Sequence, residues 1–290
     1  MSIEDKFIRL RDGRTLAYTE YGESAGEPMF FFHGNPGSRL MRPADESVAR
    51  KLGVRIITPD RPGFGLSDFQ RKRKLLDYPQ DIAQLADALG VEKFSTFGVS
   101  AGGPYVAACA YVLPQRVTGA AIISGPAPFN RENPYEGMGP DWKKAFKTGK
   151  LPEWLLRMLI ALQARIQKRD PNKNLDNLAA ILSSSDAKLM ADPVVRARSI
   201  RNIPEATRKG ARGWTREVKI QLSAWGFELK DISIPVHLWY WQDDQAIPPG
   251  MGRYLENELP TTISHFLPGG GHLSIIDHWT EIIEALLTDS

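Results

Sequence analysis

The chain has 290 residues, 42% hydrophobic and 24% charged, with a net charge of +3. This excludes a disordered or fibrous chain and suits one large domain or one domain with an insertion. A single cysteine, Cys109, excludes an intrachain disulfide framework. No early stretch reads as a signal peptide and no apolar run is long enough to span a bilayer, so the expectation is a cytoplasmic protein without stable membrane insertion.

In chain order, residues 6–13 and 14–22 read as two strands joined at Asp12-Gly13, a hairpin signal. Short apolar runs follow at 28–34, 54–60, 94–98 and 119–125, with helical patterns near 38–52, 78–90 and 101–112. Apolar strands without alternation, separated by helices, predict an α/β fold whose parallel sheet is covered on both faces. The basic run at 71–74 reads as an exposed loop.

The rhythm changes after Pro128. Residues 129–228 carry no convincing strand, and the pattern predicts helices throughout. One of them places Leu155, Met158, Leu159, Leu162 and Ile166 at helical spacing. Strand–helix alternation then resumes, with strands at 234–241 and 261–267 and helices near 249–258 and 274–287. Residues 129–230 hold 20 Lys/Arg against 11 Asp/Glu, a net +9, while the rest of the chain is net −6. A basic middle between acidic ends marks a separate unit. Its basic residues are scattered through amphipathic patterns, so nucleic acid is not an expected partner.

Gly98-Val99-Ser100-Ala101-Gly102 fits G-x-S-x-G between an apolar strand and a helix, the setting of a nucleophile elbow. A turn this tight strains the serine backbone and collides with side chains two residues before and after, so both positions are glycine. Serine needs a base, and the base needs an orienting carboxylate. Of the five histidines, His272 lies in a glycine-rich loop directly after a strand and is the expected general base. His237, His265 and His278 fall inside predicted elements, and His33 ends a strand before Gly34-Asn35-Pro36-Gly37. Asp244 is the expected acid, preferred over the adjacent Asp243. Asp60 is read as fixing its own loop. The oxyanion donors are expected from the backbone N–H groups of Ala101 and Asn35, with Gly34 letting the loop approach the substrate.

With its "HGNPGSR", "PDRPGFGLSD", "GVSAGG", "DDQAIP" and "PGGGH" segments in this order, the chain resembles the α/β-hydrolase superfamily, in its serine-nucleophile branch with a helical cap. The resemblance implies a mostly parallel eight-stranded sheet with the first two strands antiparallel. It implies a core from 1–128 and 229–290, with 129–228 as the inserted cap. One departure is Trp241, at a position three before the acid where relatives often carry glycine.

Serine at position 100 argues against haloalkane dehalogenases and epoxide hydrolases, which use aspartate. The expected activity is hydrolysis of an ester, or a related acyl bond, in a small to medium, largely apolar substrate. Carbon–carbon bond hydrolysis, an aminopeptidase-type amidase and a non-catalytic ligand-binding role stay open as alternatives. Neither metal nor organic cofactor is expected, because the histidines are dispersed and no phosphate-binding loop is present. Trp142, Trp154, Trp214, Trp225, Leu155, Met158 and Leu162 are expected mostly in the cap core, with a minority lining the pocket. The apolar cap helices would equally serve as a homodimer surface.

Overall fold

A computed structural model describes residues 4–43 and 45–289. Among these residues eight strands form one sheet: β1 (Lys6–Arg9), β2 (Thr15–Gly22), β3 (Glu27–Phe32), β4 (Val54–Pro59), β5 (Phe94–Val99), β6 (Val117–Ile123), β7 (Val236–Trp241) and β8 (Thr262–Leu267). Helices α1 (Ser47–Lys51), α2 (Tyr78–Ala88) and α3 (Gly103–Val112) precede β6. Between β6 and β7 lie α4 (Pro140–Thr148), α5 (Glu153–Arg169), α6 (Pro171–Ala179), α7 (Ser184–Ala191), α8 (Pro193–Ala206) and α9 (Arg212–Gln221). Helices α10 (Pro249–Glu258) and α11 (Trp279–Leu287) follow β7 and β8.

The strand order is β1-β2-β4-β3-β5-β6-β7-β8. Strand β2 is antiparallel to β1 and β4, and the remaining pairs are parallel. Alternate residues of a strand face opposite sides, so a sheet covered on both faces needs apolar residues at every position. In β3, Phe30 and Phe32 enter one core while Met29 and Phe31 enter the other. In β7, Leu238 and Tyr240 divide from Trp239 and Trp241 in the same way. Helices α2, α3 and α10 cover the first face, and α1 and α11 cover the second.

The chain runs outward from β3 to β4 and then returns to place β5 on the other side of β3. The loops leaving β3 and β5 therefore diverge, which opens a crevice at their carboxyl ends. His33-Gly34-Asn35 and Ser100 follow those two strands directly.

Four expectations need correction. The helix expected over 38–52 is confined to α1. Upstream of it the Arg39 backbone is bonded to side chains, its N–H to Asp60 Oδ1 and its carbonyl to Thr19 Oγ1, and Pro43 lacks an N–H. The final helix begins at Trp279 rather than 274; residues Ser274–Asp277 form a 3-10 turn and His278 caps α11 instead of lying within it. The run at 71–74 is not wholly exposed, because Arg73 is buried against Glu217 at 2.7 Å and the Tyr105 hydroxyl at 2.9 Å. Finally, the apolar stripe of α5 faces solvent. Trp154 is 62% exposed, Met158 60%, Leu162 57% and Ile166 55%, while α5 packs inward through Leu156, Ile160 and Ala164. Both sides of α5 are apolar, so periodicity identifies the helix but not its buried face.

Candidate active site

Ser100 has φ of +54°, a left-handed conformation costly for a residue with a Cβ. The glycines around it account for how the bend fits. A Cβ at Gly98 would stand 2.7 Å from the Gly102 carbonyl oxygen, and one at Gly102 would overlap the Phe32 carbonyl oxygen of the adjoining strand. Gly103 likewise packs on Gly125, where a Cβ would come within 2.9 Å of its Cα. Strand β5 thus turns into a 3-10 turn at Ser100–Gly102 and then α3 with no side chain in the bend except at 99, 100 and 101.

Gly34 lies against this bend, since a Cβ there would sit 3.6 Å from Ser100 Cβ. The loop is held from behind. Arg61 Nη1 donates to the His33 carbonyl and Nη2 to the Gly34 carbonyl at 3.0 Å. In a trans peptide the N–H points opposite the C=O. Anchoring the Gly34 carbonyl on Arg61 therefore turns the Asn35 N–H to the other side. His33 is fully buried; its Nδ1 bonds the Gly34 carbonyl at 2.8 Å and its Nε2 accepts the Arg61 N–H at 3.3 Å. Burial, then the Arg61 charge, push its imidazole well below the ordinary histidine range, so it is a neutral structural ring. Asp60 holds its own loop by accepting from Leu66 N–H at 2.9 Å, and also the loop after β3 by accepting from Arg39 N–H at 2.6 Å.

Asp244 and His272 meet across the loops after β7 and β8, with His272 Nδ1 2.8 Å from Asp244 Oδ2. Asp244 is buried, and its Oδ1 accepts from the Ala246 and Ile247 amides at 2.9 and 2.8 Å. A carboxylate so placed accepts, hence Nδ1 carries the ring proton and Nε2 is left as the basic nitrogen. Asp243 is exposed and its N–H donates to the Gly270 carbonyl at 3.0 Å. Trp241 is buried, and room for its ring comes from the opposite loop: a Cβ at Gly270 would lie 2.6 Å from Trp241 Cδ1.

Three residues between β6 and β7 reach this machinery, and the sequence pattern did not single them out. Asp186 of α7 is buried, and its carboxylate accepts from the backbone N–H groups of His272 and Leu273, both at 2.8 Å. Gly271 has no side chain because one would overlap that carboxylate. Burial pulls the His272 imidazole down, but the charge and hydrogen bond of Asp244, followed by the charge of Asp186, lift it above the ordinary histidine value. From α9, Glu217 binds Arg73 at 2.7 Å and stands 3.5 Å from Arg61. One turn later Gln221 Nε2 donates to the Ala101 carbonyl at 3.4 Å. The Ser183–Asp186 spacing is a visible N-cap signal, with Ser183 Oγ accepting the Asp186 N–H at 3.1 Å. It marks a helix start and says nothing of a partner 86 residues away.

Ser100, Ala101, Gly34, Asn35 and His272 line one cavity of about 600 Å³. Its roof comes from the segment between β6 and β7, including Trp142, Leu156, Ile160 and Trp214. The Trp142 ring lies 6.3 Å from that of His272. Trp225 is buried in the main core, whereas Trp154 is neither core nor cavity wall.

A family model described as the alpha/beta hydrolase fold matches residues 27–278. The chain is 28% identical to a 2-hydroxy-6-oxo-6-phenylhexa-2,4-dienoate hydrolase of Burkholderia cepacia, over 96% of this chain and 93% of the relative. It is 27% identical to a 2-hydroxy-6-oxononadienedioate/2-hydroxy-6-oxononatrienedioate hydrolase of Comamonas testosteroni, with the same coverage. Among solved structures, an esterase from Thermogutta terrifontis superposes with a TM-score of 0.70 at 21% identity, over 98% of each chain, a likeness of fold. The chain belongs to the alpha/beta hydrolase fold family.

Proposed function

We propose that the protein is a serine hydrolase in which Ser100 is the nucleophile, His272 the general base and Asp244 its orienting acid. The observation that carries this is the 2.8 Å His272–Asp244 bond, made in the same cavity as a serine with φ of +54°. His272 Nε2 takes the Ser100 hydroxyl proton as Oγ attacks the substrate carbonyl. The tetrahedral oxyanion is held by the N–H groups of Ala101 and Asn35. Collapse breaks the bond to the leaving group, which receives the proton from His272. Water, deprotonated by the same ring, then attacks the acyl-enzyme, and collapse returns the proton to Ser100 and frees the acid. An ester is the favoured bond because its leaving group needs the least protonation. We further propose that 129–228 works as a cap on a core of 1–128 and 229–290, since its helices roof the cavity.

A fluorophosphonate probe tests this directly: wild type is labelled and Ser100→Ala is not. An unlabelled wild type would instead support a ligand-binding role. Turnover of p-nitrophenyl esters of graded acyl length then sizes the pocket. The second reading, hydrolysis of a carbon–carbon bond, is favoured by the printed activities of the Burkholderia and Comamonas relatives. Incubation with 2-hydroxy-6-oxo-6-phenylhexa-2,4-dienoate separates the two, because cleavage destroys its conjugated chromophore. Rapid bleaching with poor ester turnover would replace the esterase reading.

A further inference from the structure

We propose that the outward face of α5 is a docking surface for an anionic phospholipid membrane, which presents amphiphilic substrates at the mouth of the cavity. Trp154, Met158, Leu162 and Ile166 recur every fourth residue and form one stripe along the helix, each more than half exposed. A run of large apolar side chains this exposed marks an interaction surface rather than ordinary surface scatter. Leu159 joins the stripe to the site: it is 42% exposed and also lines the cavity that holds Ser100 and His272.

Charge selects the occupant. Arg157, Arg165 and Arg169 are exposed on the same helix, and none has an acidic partner within ion-pair distance among the described residues. Beside Met158 runs a groove lined by Arg157 and Arg212, and by Lys209, whose charge is paired with Asp68 at 2.9 Å. The surrounding segment, 129–230, is net +9. A second copy of the chain would pair this face with itself, since a twofold interface is isologous, and would bring two arginine-bordered patches together. An apolar stripe carrying tryptophan and bordered by arginine instead matches a helix lying in the plane of a negatively charged membrane surface. No helix among the described residues is long and apolar enough to cross a membrane, so the contact proposed is peripheral.

The docking part stands on the surface alone; the delivery of substrate rests on the hydrolase reading. Sedimentation with vesicles of phosphatidylcholine, and of an equimolar phosphatidylcholine–phosphatidylglycerol mixture, tests the docking. Wild type is expected to bind the mixed vesicles, to bind phosphatidylcholine at least about tenfold more weakly, and to be released by salt. Leu162→Glu and Arg165→Glu should each weaken binding to the mixed vesicles by about tenfold or more, with fluorophosphonate labelling and turnover of a soluble ester unchanged. Light scattering should report a monomer for all three proteins. Failure of wild type to bind either vesicle, or undiminished binding by both variants, overturns the proposal. A dimer that Leu162→Glu dissociates also overturns it, by giving the face to a second copy. If docking holds while wild type takes no fluorophosphonate label and turns over no soluble ester, the hydrolase reading fails and the surface stands.

Discussion

Ser100 and His272 line one cavity but are held there by opposite means. The serine is fixed by backbone shape over six residues: a strand, a left-handed bend and three glycines that let neighbouring backbone close in. The histidine sits on a loop with two positive-φ glycines, Gly269 and Gly270, and is placed by carboxylates 28 and 86 residues away, Asp244 and Asp186. Backbone packing gives a rigid seat with no charge of its own. Carboxylates give a seat that also sets how readily the ring holds a proton. The two halves should therefore fail differently when altered.

The largest effect is expected at the rigid half. Ser100→Ala should lower ester turnover by about 10⁴-fold or more, leaving residual rate from binding and the oxyanion donors. Ser100→Gly should be equally inactive yet more stable by about 1 kcal/mol, because glycine accepts φ of +54° without strain. Thermal unfolding of the two variants isolates the strain; equal midpoints would mean the bend is not under load. On the other half, Asp244→Asn should lower kcat by about 10³- to 10⁴-fold, since the amide can hold the ring in the wrong tautomer. Its stability loss should be small beside its loss of rate. Gly102→Ala inverts that pattern. The new methyl would overlap the Phe32 carbonyl, and urea unfolding should show a loss of about 3 kcal/mol. Retained stability would show that β3 and β5 have room to part.

The same contrast explains which features of the molecule are legible in its sequence. The sheet was legible because strands buried on both faces, such as Met29–Phe32, leave unbroken apolar runs. The elbow was legible because part of its cause is local: collision of a Gly98 side chain with the Gly102 carbonyl can be foreseen within five residues, whereas the Phe32 carbonyl that excludes a side chain at Gly102 belongs to another strand. Asp244 was half legible, separable from Asp243 by the Ile-Pro that follows but not by its partner. Asp186, Glu217 and Gln221 were not legible at all. Each looks like an ordinary polar residue on an amphipathic helix, and only tertiary packing brings it to His272, Arg61 or Ala101. The outward orientation of the α5 stripe was not legible for a related reason. Hydrophobic spacing reports that a face is apolar, and burial is the usual but not the necessary consequence.

The smallest predicted effect is the most diagnostic of how the histidine is held. Asp186→Asn keeps the volume of the side chain, removes its charge and sets an NH₂ group where a carboxylate oxygen accepted a backbone N–H. A turnover loss of about tenfold at high pH is expected from the loosened loop. The sign of the pH effect follows from the base role proposed for His272. The ring must be neutral to accept the Ser100 proton, so activity rises with pH as His272 loses its own. Burial opposes the imidazolium, while Asp244 and then Asp186 stabilise it and place the ring above its ordinary value. Removing the Asp186 charge weakens that support, and the acid limb of kcat/KM should move to lower pH. The deficit relative to wild type should therefore shrink as the pH is lowered. A carboxylate that merely props the loop would reduce the plateau and leave the limb where it was, and the ratio of the two enzymes would then be flat across the titration.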